Sequence, residues 1–123
     1  MDSTGPAHVP PTPDLSAALD RLWVRFLPEI EQRVALLESA AAAAAGGTLT
    51  PPQQQQARAA AHKLAGVLAS FGLATATSPA RETEHLYARD TAPGPEHASR
   101  LAAFAAELRS LIAGRKPSAP EAC

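Results

Sequence analysis

The chain has 123 residues, 46% of them nominally hydrophobic, with a formal net charge of -1 and a pI of about 6.4. That is enough for one small domain; there is no basic stripe to hold nucleic acid and no Lys/Arg-rich amphipathic face to hold a membrane surface. Much of the apolar content is alanine and no stretch alternates with period two, so strands are not expected and the core must come from Leu, Ile, Val and Ala on packed helices.

Met1 to Thr12 carries Pro6, Pro10 and Pro11 and little that can pack, so residues 1–12 read as a flexible arm. It has neither the basic start nor the apolar centre of a secretory signal, and no apolar run approaches the ~20 residues of a membrane span. The single cysteine, Cys123, ends a polar tail and excludes an intrachain disulfide. A cytoplasmic monomer is expected.

Thr12-Pro13-Asp14 reads as an N-cap, a proline at the first helical position and an acid in the first turn. Leu15, Leu19, Leu22 and Phe26 follow at helical spacing, and Pro28 is expected to break or kink the helix near Leu27. A second helix then carries Ile30, Val34, Leu37, Ala41 and Ala44 on one face until Gly46-Gly47 stops it. Thr50 and Pro51 start the next helix, which should reach Phe71 and stop at Gly72; the glutamines Gln53 to Gln56 are its polar first turns.

The following helix either begins near Ala74 and kinks at Pro79, or begins at Ser78-Pro79, and ends near Arg89. A loop over 90–96 leads to a last helix, Pro95 to Ala113, with Leu101, Phe104, Leu108 and Leu111 inward and Gly114 as cap. Residues 13–114 thus form the folded unit and residues 115–123 a disordered tail. Short loops between long amphipathic helices make neighbours antiparallel. The expected fold is all-α: an up-down antiparallel four-helix bundle with an additional short N-terminal helix.

The helix after Thr50 carries the candidate site. Each residue turns by about 100°, which places Ala57, Ala61, Leu64, Leu68 and Phe71 in one narrow core sector. His62 lies roughly 140° from the middle of that sector and should be exposed. Gln55, Arg58, Ala59, Ala65, Gly66 and Ala69 surround it. Beyond Arg58 these neighbours are all small. Glycine in a helix interior costs roughly 1 kcal/mol relative to alanine, so Gly66 opposes local propensity where alanine was the easy choice. The reading is that Gly66 and the alanines leave room for another protein to reach the ring.

"AHKLAGVLASFGLA" resembles the signature of histidine-containing phosphotransfer (HPt) domains. That family has a histidine, an apolar residue two on, a glycine four on and a second glycine ten on. His62, Leu64, Gly66 and Gly72 occupy those places. Phe71-Gly72 is similar to the phosphotransfer domains of chemotaxis kinases, and "RFLPEIEQRVALLESA", Arg25 to Ala40, resembles the family's preceding helix. The order of helices agrees over roughly residues 14 to 113. Two features depart from the pattern. Ala65 stands where many members have a lysine that steadies the phosphoryl group, and Pro79 stands where the helix is usually unbroken.

The resemblance implies that His62 is a phosphoryl carrier. Free imidazole titrates at about 6.5, so an exposed ring near neutral pH can act as a nucleophile without a dedicated base. It would take a phosphoryl group from an aspartate of a response-regulator receiver domain, or from a hybrid histidine kinase, and pass it to another receiver. Mg²⁺ would belong to the receiver, and the chain itself would need no cofactor or metal and have no autonomous catalytic activity. Arg58, one turn before His62, is the better-placed cation in place of the missing lysine. Lys63 would have to swing across, and Gln55 lies on the same face. Ala59, Ala65, Gly66 and Ala69 would form the docking surface.

His8 lies in the arm, His97 in the first turn of the last helix where it should be solvated, and His85 one turn after Arg81; none is assigned as a site. Glu82 and Glu84 could bond a ring on the neighbouring helix, but ordinary solvated charges are the default. The other functional class is a phosphorylation-independent adaptor that docks receiver or kinase domains, a reading favoured by the absence of the usual lysine. A metal-binding bundle would need ligands on facing helices, and no HExxH or CxxC motif or paired Glu-x-x-His supplies them.

Overall fold

Local signals in the sequence set most of the helix ends. The computed structural model describes residues 13–115. Four α-helices follow in order: α1 Pro13–Ala45, α2 Pro51–Ser70, α3 Thr77–Tyr87 and α4 Pro95–Ala113, with a short 3₁₀ turn, Ala74–Ala76, leading into α3. α1 lies against α2 and α4, and α3 against α2 and α4, so the bundle closes on itself. The expected arm with His8, and the tail from residue 116 to Cys123, lie outside the described residues.

α2 starts with a capping box: the Gln53 N–H donates to Thr50 Oγ1 at 3.2 Å, and the Thr50 N–H donates to Gln53 Oε1 at 2.9 Å. It ends at Ser70, and Gly72 just beyond turns the chain away with a φ of +84° that suits glycine, the Gly72 N–H on the Ala69 carbonyl and the Leu73 N–H on the Leu68 carbonyl. α4 begins at Pro95 and ends before Gly114, as the sequence predicts.

The separate N-terminal helix is not found. α1 runs unbroken through Pro28 for 33 residues. A mid-helix proline costs about 3 kcal/mol, but burying a large apolar side chain contributes about 1.5–3 kcal/mol. Trp23 and Ile30, on either side of Pro28, are both buried, and together they outweigh the break. Pro28 and Val24, whose carbonyl loses its partner, are exposed, so water can take that bond.

The stripe Leu15, Leu19, Leu22 and Phe26 also differs from expectation. Leu15, Leu22 and Phe26 are exposed, and Trp23 turns inward instead. For Leu15 the cause is length: α1 is about 50 Å long and α2 about 30 Å, so the first turns of α1 have little opposite them, whereas Leu22 and Phe26 lie at the level of Trp23 but about 60–100° round the helix from it. Where the helices end together, Trp23 meets Phe71 edge-on with ring centroids 5.3 Å apart. Arg115 lies over Trp23, donates to the Phe71 carbonyl at 3.3 Å and reaches Asp20 at 3.2 Å. The first residue assigned to the tail therefore ties α1 to the end of α2.

Deeper in the bundle the expected faces hold. Ile30, Val34, Leu37, Ala41 and Ala44 are buried, as are Leu101 and Leu108 of α4. Phe104 and Leu111 are only partly covered, and Ala105 and Ile112 go inward in their place. Arg109 grips Glu38 of α1 through two hydrogen bonds, at 2.7 and 3.0 Å. That pairing holds the Glu38 carboxyl below its ordinary range. Both side chains are about half exposed, which limits the pair to about 1 kcal/mol or less.

The start of α3 settles between the two alternatives. The 3₁₀ turn begins at Ala74, and α3 follows from Thr77 with Pro79 as its third residue. In the first turn a proline forfeits no intrahelical bond, because those N–H groups have no partner in the helix. Pro79 therefore neither kinks nor begins the helix.

Candidate functional site

His62 stands at the middle of α2 with 75% of its side chain exposed. On the facing helix α3, Glu84 is mostly covered, and its Oε2 lies 3.0 Å from His62 Nδ1. An ionised carboxylate can only accept, so Nδ1 carries the proton and donates to it. The neutral ring then presents an unprotonated Nε2. Glu84 is thus a ring partner and departs from the solvated default; Glu82 lies toward Arg100 of α4, at 3.7 Å.

A shallow open hollow surrounds the ring, lined by Gln55, Arg58, Ala59, His62, Lys63 and Glu84. The predicted Gln55, Arg58, Ala59 and Lys63 are therefore brought together with His62. Arg58 and Lys63 are both exposed, and neither makes an ion pair or side-chain hydrogen bond among the described residues. Two cations beside an exposed imidazole are suited to offset the charge of an anionic group on that ring.

The small residues divide. Gly66 and Ala69 are exposed beyond His62, and a Cβ built at Gly66 would meet nothing within 4 Å. The glycine is therefore not there for close helix packing. Ala65 is buried, 5% exposed, and does not belong to the open surface where the sequence reading places it. The reason is that α2 packs against both α1 and α3, so its buried sector is wider than the line through Ala57, Ala61, Leu64 and Leu68. Counting at about 100° per residue, Ala60 and Ala65 fall at opposite edges of that sector, and both are buried.

On the α1 side, Lys63 also borders an apolar groove formed by Leu19, Leu22, Phe26, Val67 and Phe71. Lys63 therefore stands between the hollow around His62 and the exposed end of the α1 stripe. Neither this groove nor its place beside the hollow follows from the sequence of either helix alone.

The other histidines lie apart. His85 is exposed on α3. His97 is partly covered instead of solvated, with its Nε2 3.3 Å from Arg89 Nη1 and 3.8 Å from Glu96 Oε2. No helix is long and apolar enough to cross a membrane among the described residues.

Residues 21–114 match the family model described as Hpt domain. No curated protein and no solved structure matches the chain.

Proposed function

From the chain's place in the Hpt domain family, to which it belongs by a match over most of its length, we propose that His62 is the phosphoryl carrier of a two-component phosphorelay. Hpt domains are phosphocarrier modules in such relays. The observation that carries the assignment of His62 is its ring, exposed and with Nδ1 3.0 Å from Glu84 Oε2, an arrangement that leaves the lone pair of the neutral ring on Nε2.

In the proposed step Nε2 attacks the phosphorus of an aspartyl phosphate on a receiver domain. The N–P bond forms as the bond to the aspartate oxygen breaks, and the receiver's carboxylate leaves with that electron pair. Nδ1 keeps its proton, so the ring becomes positive, and the Glu84 carboxylate at 3.0 Å offsets that charge. Arg58 and Lys63 offset the phosphoryl oxygens. Mg²⁺ and the remaining electrostatics belong to the receiver, and the reverse step hands the group to a second receiver. A hybrid kinase is the alternative donor. The open surface at Ala59, Gly66 and Ala69 and the groove at Leu22 and Phe26 are where a receiver would rest, on a monomeric cytoplasmic carrier.

The test is to incubate the protein and its His62→Gln variant with a panel of phosphorylated receivers. Acid-labile, alkali-stable label on the wild type alone supports the carrier. Binding without label on either protein points to the adaptor instead, the reading that Ala65 in place of the usual lysine favours.

A further inference from the structure

Gln54 stands in the first turn of α2, two turns before His62. Its side-chain amide donates twice, to the Tyr87 carbonyl at 3.0 Å and to the Arg89 carbonyl at 3.1 Å. Tyr87 is the last residue of α3. The last carbonyls of a helix have no partner within it, so a donor from outside is needed there. One amide on α2 thus holds down the end of α3 three residues past Glu84. The turn from which Gln54 projects is itself fixed by the Thr50–Gln53 capping box.

Among the described residues, the His62–Glu84 pair is the one other side-chain hydrogen bond between α2 and α3. α3 has 11 residues and no side-chain cap at its start. About half of the buried residues of the pair are small, Ala57, Ala60, Ala61 and Ala65 on α2 and Ala80 and Thr83 on α3, beside the larger Leu64, Leu68, Leu86 and Tyr87. Helix register is ordinarily set by side-chain ridges seated in grooves, and alanines offer shallow ones. A hydrogen bond across the interface, in contrast, fails with a shift of less than 1 Å or so.

We infer that Gln54 is a positioning residue: by clamping the C-terminal end of α3 to the first turn of α2, it sets Glu84 against His62 Nδ1 and so determines which ring nitrogen carries the lone pair. The consequence for transfer rests on His62 being the carrier; the effect on the ring does not.

The test reads the ring directly. Nitrogen NMR of the full chain with isotope-labelled histidine distinguishes a proton on Nδ1 from one on Nε2. Wild type, Gln54→Met and Glu84→Ala are compared at one pH, with helical content followed by circular dichroism. Methionine keeps the length and helix propensity of Gln54 and loses both donors; Gln54→Ala replaces it if the methionine variant melts early. The expected result is a predominant Nδ1–H signature for His62 in wild type and its loss in both variants, at unchanged helical content. A Gln54→Met protein that keeps the wild-type signature while Glu84→Ala loses it would overturn the inference. So would a signature that Glu84→Ala leaves unmoved. Should the ring respond as expected while no phosphoryl label appears on the wild type, the carrier reading fails and the role of Gln54 stands.

Discussion

The Glu84 carboxylate accepts from His62 Nδ1 at 3.0 Å across the α2–α3 interface, joining a mostly covered acid to a ring that is 75% exposed. The pair divides the work of the imidazole: one nitrogen is held, the other is presented. Each partner therefore has its own expected phenotype.

His62→Gln is expected to abolish phosphoryl uptake and leave helical content unchanged, because an exposed side chain contributes little to the fold. Glu84→Ala is expected to retain uptake at a rate lower by on the order of tenfold, the usual scale for losing a group that orients a reactive imidazole. Stability should change by about 1 kcal/mol or less. Initial rates of label transfer and thermal melting check both. Uptake by His62→Gln would move the carrier to another histidine.

The ends of α2 and α4 are legible in the sequence because they are written locally: Thr50-Pro51, Gly72, Pro95 and Gly114 each act within a turn of themselves. The exposure of His62 and Gly66 follows from helical geometry in the same way. What is not legible depends on neighbours. Pro28 reads as a break until Trp23 and Ile30 are known to be buried on either side of it. Leu15 reads as core until the shortness of α2 is known, and Leu22 and Phe26 until Trp23 is known to take the inward face. Ala65 reads as open surface because the width of a buried sector depends on how many helices cover it. Glu84 is ambiguous because its meeting with His62 depends on the register of two helices, which no periodicity within either one contains.

Pro28 offers a test of the unbroken α1. In a continuous helix, Pro28→Ala restores a backbone hydrogen bond at an exposed position. The gain in the helix is at most about 3 kcal/mol, reduced by about 1 kcal/mol because alanine frees the unfolded chain. The expected outcome is a net stabilisation of about 1–2 kcal/mol, measured by denaturant unfolding. A loss of stability would mean that the chain bends at Pro28 and needs the bend.

Gly66 separates stability from transfer. Nothing lies within 4 Å of a Cβ built there. Gly66→Ala should therefore stabilise α2 by up to about 1 kcal/mol. Gly66→Leu should also fold, since the new side chain points to solvent, but should slow transfer by filling the space beside His62. Melting and transfer kinetics on the same variants check this. If Gly66→Leu transfers at the normal rate, partners do not approach over this surface, and its openness follows only from a composition rich in alanine.

Tyr87 carries an unmet cost. It is 2% exposed, and its hydroxyl has no hydrogen-bond partner among the described residues. Burial pushes the phenol up to about 12, against 10.0 for an unperturbed tyrosine. A buried polar group left unpaired costs about 1–3 kcal/mol, so Tyr87→Phe is expected to stabilise the protein by about 1 kcal/mol and raise its melting temperature by a few degrees. The pH dependence has a definite sign. Between pH 10 and 12 the unfolded chain has released the phenolic proton and the folded chain has not. The unfolded state then binds fewer protons, and stability falls as pH rises through that window. This contribution is fully present below pH 10 and absent in the phenylalanine variant. The chain has one tyrosine, so tyrosinate absorbance reports this group alone. Its titration near pH 10 with the fold intact would show that the hydroxyl reaches water, and destabilisation by Tyr87→Phe would show that it has a partner worth keeping.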